Sequence, residues 1–201
     1  GATARQYPTA IWDTENHQML MFSGWSQTIT QLNDLWAYFP SNNTWVQRQS
    51  GSTKREGATA VWDPKNSQML VFGGSDNIKF MNDIWAYFPS NDSWTQKTSG
   101  STSRSYFASV WDTKNDQMLV FGGTSMSGSL NDLWRWYHSN LTWSQIPSAL
   151  NNRYGHVAVW NPIDKQMIIY GGRYISGGNS QELNDTWVYS PDTNTWTSKA
   201  S

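Results

Sequence analysis

Four times in 201 residues, about 50 residues apart, this chain repeats one order of features. Arg5, Arg55, Arg104 and Arg153 each stand seven places before a tryptophan: Trp12, Trp62, Trp111 and Trp160. A Gln-Met step follows, then a glycine-containing pair: Ser23-Gly24, Gly73-Gly74, Gly122-Gly123 and Gly171-Gly172. Asn-Asp steps start at Asn33, Asn82, Asn131 and Asn184, with a tryptophan two places after each aspartate. Trp45, Trp94, Trp143 and Trp196 close the repeats. Self-similarity of this period marks a supersecondary unit that cannot bury its apolar faces alone and is stacked on copies of itself. The chain reads as a single domain of four repeats, about 1–50, 51–99, 100–148 and 149–201.

Within a repeat the periodicity is that of strands. In the second, residues 58–62 form a first strand, A, and Pro64-Lys65-Asn66-Ser67 a turn. Gln68-Met69-Leu70-Val71-Phe72 is strand B, a nearly continuous apolar run that suits burial on both faces. Residues 83–88 form strand C, Pro89 to Asp92 turns the chain, and residues 94–98 form strand D. No segment carries a competing helical stripe. Four antiparallel strands in each of four repeats predict an all-β propeller, whose sheets bury both faces on their neighbours around an axis. The glycine pair after strand B lets another segment approach closely and admits positive φ.

This pattern resembles the kelch repeat of β-propellers. Asn82-Asp83-Ile84-Trp85-Ala86-Tyr87 and Gly73-Gly74 carry the resemblance best, and it extends over essentially the whole chain. The departures are local: Ser23 for a glycine, Trp136 for the motif tyrosine, and Asn161 where the other repeats have Asp after the strand-A tryptophan. The resemblance implies four kelch-type four-stranded blades. These form a closed small ring, part of a larger ring, or an assembly in which copies complete one another. Family members more often have six or seven blades. No strand borrowed from the opposite terminus is visible as a latch, and the chain, starting at Gly1, reads as processed or excised from a longer product.

Repetition in every blade is the mark of a framework. The repeated tryptophans are therefore expected in the core, and each arginine is expected to bond the Asp83-type carboxylate or backbone carbonyls between strands. The rival reading is a ring of arginines binding an anion. His17, His138 and His156 share no ligand spacing, and the chain has no cysteine, so the sequence offers no metal centre and no thiol nucleophile. Glu15, Glu56 and Glu182 are isolated, and no catalytic set or cofactor motif is found.

Recognition is expected where the repeats differ, in the segments between strands B and C: residues 25–32, 75–81, 124–130 and 173–183. Trp25, Phe80, Met126, Arg173 and Tyr174 are the candidate ligand-binding residues. The competing reading is that these segments fold back over blade edges. N-glycosylation triplets begin at Asn42, Asn91 and Asn140, all in the C–D turn, opposite the variable segments. Asn184-Asp185-Thr186 also matches but lies in the Asn-Asp motif, where a structural role is expected.

Net charge is −1, which gives no electrostatic footprint for nucleic acid or anionic membranes, and no apolar run reaches the roughly 18 residues of a membrane helix. Charged residues make up only 14%, with Ser, Thr, Asn and Gln in their place, a neutral polar surface that suits a secreted glycoprotein. The expectation is a non-catalytic, extracellular kelch propeller without cofactor, acting in protein binding or structural self-assembly. Its partner is another protein, copies of itself, or a glycan. Alternatives are a lectin-like carbohydrate binder using Trp25 or Tyr174, and a metal-free sugar-processing enzyme. The family's copper oxidases need a cysteine-linked tyrosine this chain cannot form, and the Glu, Asp and His set of its iron-dependent specifier proteins is not found.

Overall fold

The computed structural model describes residues 1–28, 30–51, 53–148, 150–176 and 179–199. The first repeat runs β1 (Thr9–Asp13), β2 (Gln18–Phe22), a short hairpin of β3 (Trp25–Ser26) and β4 (Thr30–Gln31), then β5 (Leu35–Phe39) and β6 (Thr44–Arg48). The second comprises β7 (Thr59–Asp63), β8 (Gln68–Phe72), β9 (Ile84–Phe88) and β10 (Ser93–Gln96). In the third, β11 (Ala108–Asp112) and β12 (Gln117–Phe121) precede a hairpin of β13 (Thr124–Ser125) and β14 (Gly128–Ser129), then β15 (Leu133–Tyr137) and β16 (Thr142–Ile146). The fourth has β17 (Val157–Asn161), β18 (Gln166–Tyr170), a hairpin of β19 (Arg173–Ser176) and β20 (Asn179–Glu182), then β21 (Thr186–Ser190) and β22 (Thr195–Lys199).

Among the described residues there is no helix, and each repeat folds into one four-stranded antiparallel sheet in simple A-B-C-D order. These are the four blades of a kelch-type β-propeller, as the repeat predicts. Strand bounds differ from the sequence reading by a residue or two. Strand A of blade 2 starts at Thr59 and includes Asp63, whose carboxylate caps the following turn, and strand D ends at Gln96. A larger difference lies between strands B and C. Three of these connections are not irregular loops but hydrogen-bonded hairpins, and in the second Ser75 bridges Phe80.

The chain divides into two compact units, Gly1–Ser99 with Ser103–Ser105, and Gly100–Thr102 with Tyr106–Ser201. Each holds two blades. Strand alternation gives every blade two faces. One carries the aromatic residue that ends strand B (Phe22 in blade 1), and the other carries the strand-A and strand-D tryptophans. In the first unit, Leu20, Phe22, Leu35 and Ala37 of blade 1 pack on Ala58, Met69, Val71 and Tyr87 of blade 2, with Trp62 and Trp94 at the margin. In the second unit, Val110, Leu119, Phe121 and Leu133 of blade 3 pack on Met167, Ile169 and Tyr189 of blade 4, with Trp160 and Trp196 at the margin. Phe22 lies 5.0 Å from Trp94, and Phe121 lies 5.1 Å from Trp196, centroid to centroid. The two interfaces are copies of one design, a phenylalanine face laid on a tryptophan face.

The tryptophans correct one expectation. Trp111 is buried, as is the unrepeated Trp136, but Trp12 is exposed and the other repeated ones are half-buried. Indole is the largest side chain, which favours the margin of a core over its centre. The deepest positions go instead to aliphatic and phenylalanine side chains of strands B and C, such as Leu20, Phe22, Leu35, Leu119 and Phe121.

Candidate functional site

Arg5, Arg55 and Arg153 bond as the sequence predicts. They form two-pronged pairs with Asp34, Asp83 and Asp185. In each, Nη1 also donates to the carbonyl of the first residue of the glycine pair: Ser23, Gly73 or Gly171. The indole N–H of Trp36, Trp85 and Trp187 donates to the second carboxylate oxygen. Burial works against charge on Asp34 and Asp83, yet the guanidinium and indole donors hold both carboxyls below the usual range. At Asp185 the bond from Arg153 is the leading cause of the same lowering. These cations are buried and committed to their own blades, so they are framework and not an anion site.

The second glycine of each pair is where the segment preceding strand A of the same repeat approaches. Gly24 and Gly74 have φ of +107° and +95°, and a Cβ on either would stand 2.8–2.9 Å from the carbonyl oxygen of Gln6 or Glu56. Gly24, Gly74 and Gly123 donate their N–H to the carbonyls of Arg55, Arg104 and Arg153, so each glycine ties one repeat to the arginine of the next.

The A–B turns are capped locally. Asp13, Asp63 and Asp112 accept backbone N–H groups two and three residues on, and side-chain amides of Asn16, Asn66 and Asn115. Blade 4 inverts the polarity: Asn161 donates its amide to Asp164 at 2.7 Å while keeping the backbone bonds. The aspartate-to-asparagine departure is thus balanced three residues later. These carboxylates serve turns.

With the repeated polar groups occupied, the B–C segments remain. Trp25 is half-buried on β3 and bridges Gln6. With Thr3, Ala4, Arg5, Gln6, Ser26 and Thr28 it borders an open cavity of about 420 Å³. Phe80 is half-buried and borders a more polar hollow of about 300 Å³ with Thr53, Lys79 and Gln96. Met126 is 81% exposed at the tip of the β13–β14 hairpin. Arg173 is exposed and pairs with Glu182 across its hairpin at 2.9 Å, while Tyr174 is half-buried opposite Gln181. Ile29, Gly177 and Gly178 of these segments lie outside the described residues.

The structure adds two residues. Ile78 is 88% exposed on a turn fixed by Asp76, whose carboxylate accepts the N–H groups of Ile78 and Lys79. Ile175 is 51% exposed on β19. Blades 2, 3 and 4 thus each carry an exposed aliphatic or thioether side chain in the connection between strands B and C. A regular hairpin places alternate residues outward, and that alternation is the signal that would have selected Ile175 together with Arg173.

At the opposite end of each blade lie the C–D turns. Asn42, Asn91 and Asn140 are exposed, and each accepts at Oδ1 the hydroxyl of the residue two places on, at 2.6, 2.7 and 2.7 Å. Asn43, Asp92, Leu141 and Asn194 follow at positive φ. Asn43, Asp92 and Asn194 accept the phenol of Tyr38, Tyr87 and Tyr189. Blade 3 has Trp136 for the tyrosine and Leu141 for its acceptor. The two departures are one: without a phenol to donate, the turn needs no acceptor.

Four-stranded antiparallel blades with a buried Arg–Asp–Trp network define a β-propeller built from framework side chains, with its variable chemistry at the blade ends. The model of the KLHDC2/KLHL20/DRC7 Kelch-repeats domain matches residues 13–201, and the chain belongs to the kelch-repeat family. Domains of this kind are commonly protein-binding modules. A search of curated proteins gave no match. Among the described residues no helix is long and apolar enough to cross a membrane, and no group of three or more His, Cys, Asp or Glu is placed to hold a metal ion.

Proposed function

We propose that this chain is a non-catalytic, extracellular protein-binding module that engages its partner through the B–C hairpin ends. The observation that carries this reading is the exposure of Ile78, Met126 and Ile175 on connections held by hydrogen bonds. An apolar side chain on a preorganised tip loses little conformational entropy on binding, which is how anchor residues gain affinity. Trp25 and Phe80 in the first unit, and Arg173 and Tyr174 in the second, add aromatic and cationic side chains to the connections of their own blades. The arginines and aspartates of the framework are already bonded, which leaves the variable ends to provide specificity.

The extracellular reading rests on the low charged fraction and on three exposed glycosylation triplets at equivalent turns. In each, the hydroxyl bonds the asparagine carbonyl, and this bond does not use Nδ2, the atom a glycan would take. Sugars there would coat the ends opposite the hairpins. Intact mass of the protein from a secreting eukaryotic host tests this: additions removed by glycosidase and lost in Asn42→Gln, Asn91→Gln and Asn140→Gln support it, and the bare polypeptide mass refutes it.

Binding is tested by selecting a displayed peptide library on the wild type and on an Ile78→Asp, Met126→Asp, Ile175→Asp variant of matched thermal stability. Sequences that bind the first and lose about tenfold or more on the second support the reading. Binders indifferent to the variant, or none at all, overturn it. A glycan reading is favoured by the cavity that sets Trp25 among Gln6, Ser26 and Thr28. A glycan array with a signal abolished by Trp25→Ala would select that alternative.

A further inference from the structure

Among the described residues, two apolar faces are exposed where their counterparts are buried. On blade 1 the tryptophan face is open: Ala10 and Trp12 are exposed, Met19, Met21 and Tyr38 are half-buried, and Ala10, Trp12, Met19, Tyr38 and Pro40 line a hollow of about 380 Å³. On blade 4 the opposite kind of face is open. Val157, Val159 and Tyr170 are 62%, 59% and 51% exposed, whereas Phe22 and Phe121, at the position of Tyr170, are fully buried.

The occupant each face fits can be read from the interfaces already formed inside the two units. In both, a strand-B phenylalanine packs against a corner made by the strand-C tyrosine and the strand-D tryptophan. The Tyr87–Trp94 corner, 5.2 Å between centroids and tilted 45°, receives Phe22. The Tyr189–Trp196 corner, 5.1 Å and 44°, receives Phe121. Blade 1 carries the same corner, Tyr38–Trp45 at 5.0 Å and 40°. Blade 4 carries the matching ring, Tyr170, flanked by Val159 where blade 1 has Ile11. One open face is of the tryptophan type and the other of the aromatic strand-B type, so neither is complementary to itself and each is complementary to the other.

We propose that the blade 4 face of one molecule, centred on Val159 and Tyr170, packs on the blade 1 face of a second copy, centred on Trp12 and Tyr38, repeating the blade-to-blade interface between molecules. The contact is heterologous. Such a contact leaves an open face at each end of a pair and propagates until a ring of copies closes or a filament grows. Removing this much aliphatic and aromatic surface from water supplies the driving force. The inference does not depend on the hairpin ends.

Two variants test it, Ala10→Glu on the blade 1 face and Val159→Glu on the blade 4 face, both at exposed sites. Sedimentation velocity across the micromolar range should show wild-type mass rising above the monomer, and each variant alone monomeric, with association weakened about 100-fold or more by an unpaired charge in the contact. Mixed together, the variants should form a one-to-one pair, because Val159→Glu retains an intact blade 1 face and Ala10→Glu an intact blade 4 face. An unfolded variant could not give this rescue, and Ile78→Asp should leave it unchanged. A monomeric wild type overturns the proposal, whether its Trp12 and Tyr170 are shielded within one chain or remain open to hydroxyl-radical labelling. So does association that survives both variants, or a mixture that stays monomeric.

Discussion

Arg55 and Asp83 hold each other through two parallel bonds, Nη1 to Oδ1 at 2.8 Å and Nη2 to Oδ2 at 2.9 Å, with the Arg55 side chain wholly out of solvent. The same guanidinium donates to the carbonyls of Thr53 and Gly73, joining the connection before strand A to the end of strand B. Arg55→Gln keeps a donor but strands the Asp83 charge, and we expect a loss of about 3–5 kcal/mol. Urea denaturation followed by tryptophan fluorescence reads this directly. Unchanged stability would mean that the network is not framework.

Ser23 sits at φ +63°, where Gly73, Gly122 and Gly171 stand at +62° to +65°. Its hydroxyl is buried without a partner. A left-handed backbone costs a side-chain-bearing residue about 1–2 kcal/mol, and glycine's greater freedom in the unfolded chain offsets part of the gain. Ser23→Gly should therefore stabilise the protein by about 1 kcal/mol, and Gly73→Ser should destabilise it by a similar amount. Paired thermal melts will show whether the shifts have opposite signs.

Tyr87 donates its phenol to Asp92 at 2.9 Å, and burial, followed by this bond, raises the tyrosine pKa. Blade 3 shows the apolar counterpart in Trp136 and Leu141. Tyr87→Phe should therefore relieve part of the cost of Asp92→Leu. We expect a double-mutant cycle to return a coupling of about 1 kcal/mol, the cycle cancelling the separate bond from Gln49 N–H to Asp92. Additive losses would show that the phenol and the turn are independent.

His156 is buried edge-on against Phe121, with ring centroids 5.4 Å apart. Burial, and then the Arg153 guanidinium, push its pKa from 6.5 down to about 3. The unfolded chain accepts this proton near 6.5 and the folded chain does not, so stability present at neutral pH falls as pH drops through that window. The lowered carboxyls of Asp34, Asp83 and Asp185 add their own loss at lower pH, below their ordinary value of 3.8. Midway between the two values, where the unfolded chain holds this proton and the folded chain does not, His156 should contribute a slope of about 1.4 kcal/mol per pH unit. His156→Gln should flatten it; a parallel profile would refute the assignment.

The framework was legible in the sequence because repetition averages away local ambiguity. A single Gly-Gly or Asn-Asp is weak, but three Gly-Gly and four Asn-Asp pairs in phase with strand periodicity specify blades, glycine contacts and the Arg–Asp bond. The tryptophans were less legible, since a repeat does not show whether an indole lies at the margin or the centre of a core: Trp85, whose N–H finds Asp83, is half-buried, whereas Trp136 is buried with its N–H unpartnered among the described residues. The hairpins between strands B and C were least legible. Residues 124–130 are mostly Ser, Thr and Gly and carry no apolar alternation, and their pairing comes from the flanking strands that bring both ends together. Ile78 and Ile175 stand outward for the same reason, and the link between Trp136 and Leu141 requires knowing that the C–D turn folds one position over the other.

The turn bonds close over very short stretches of chain: Asp13 to Asn16, Tyr87 to Asp92, Asn161 to Asp164. A blade therefore carries its own punctuation. A copy duplicated into a tandem array would arrive with every reversal already specified, leaving only the arginine-to-glycine stitch and the two broad faces to be matched to new neighbours. Such a chain can lengthen by whole blades without relearning how to turn.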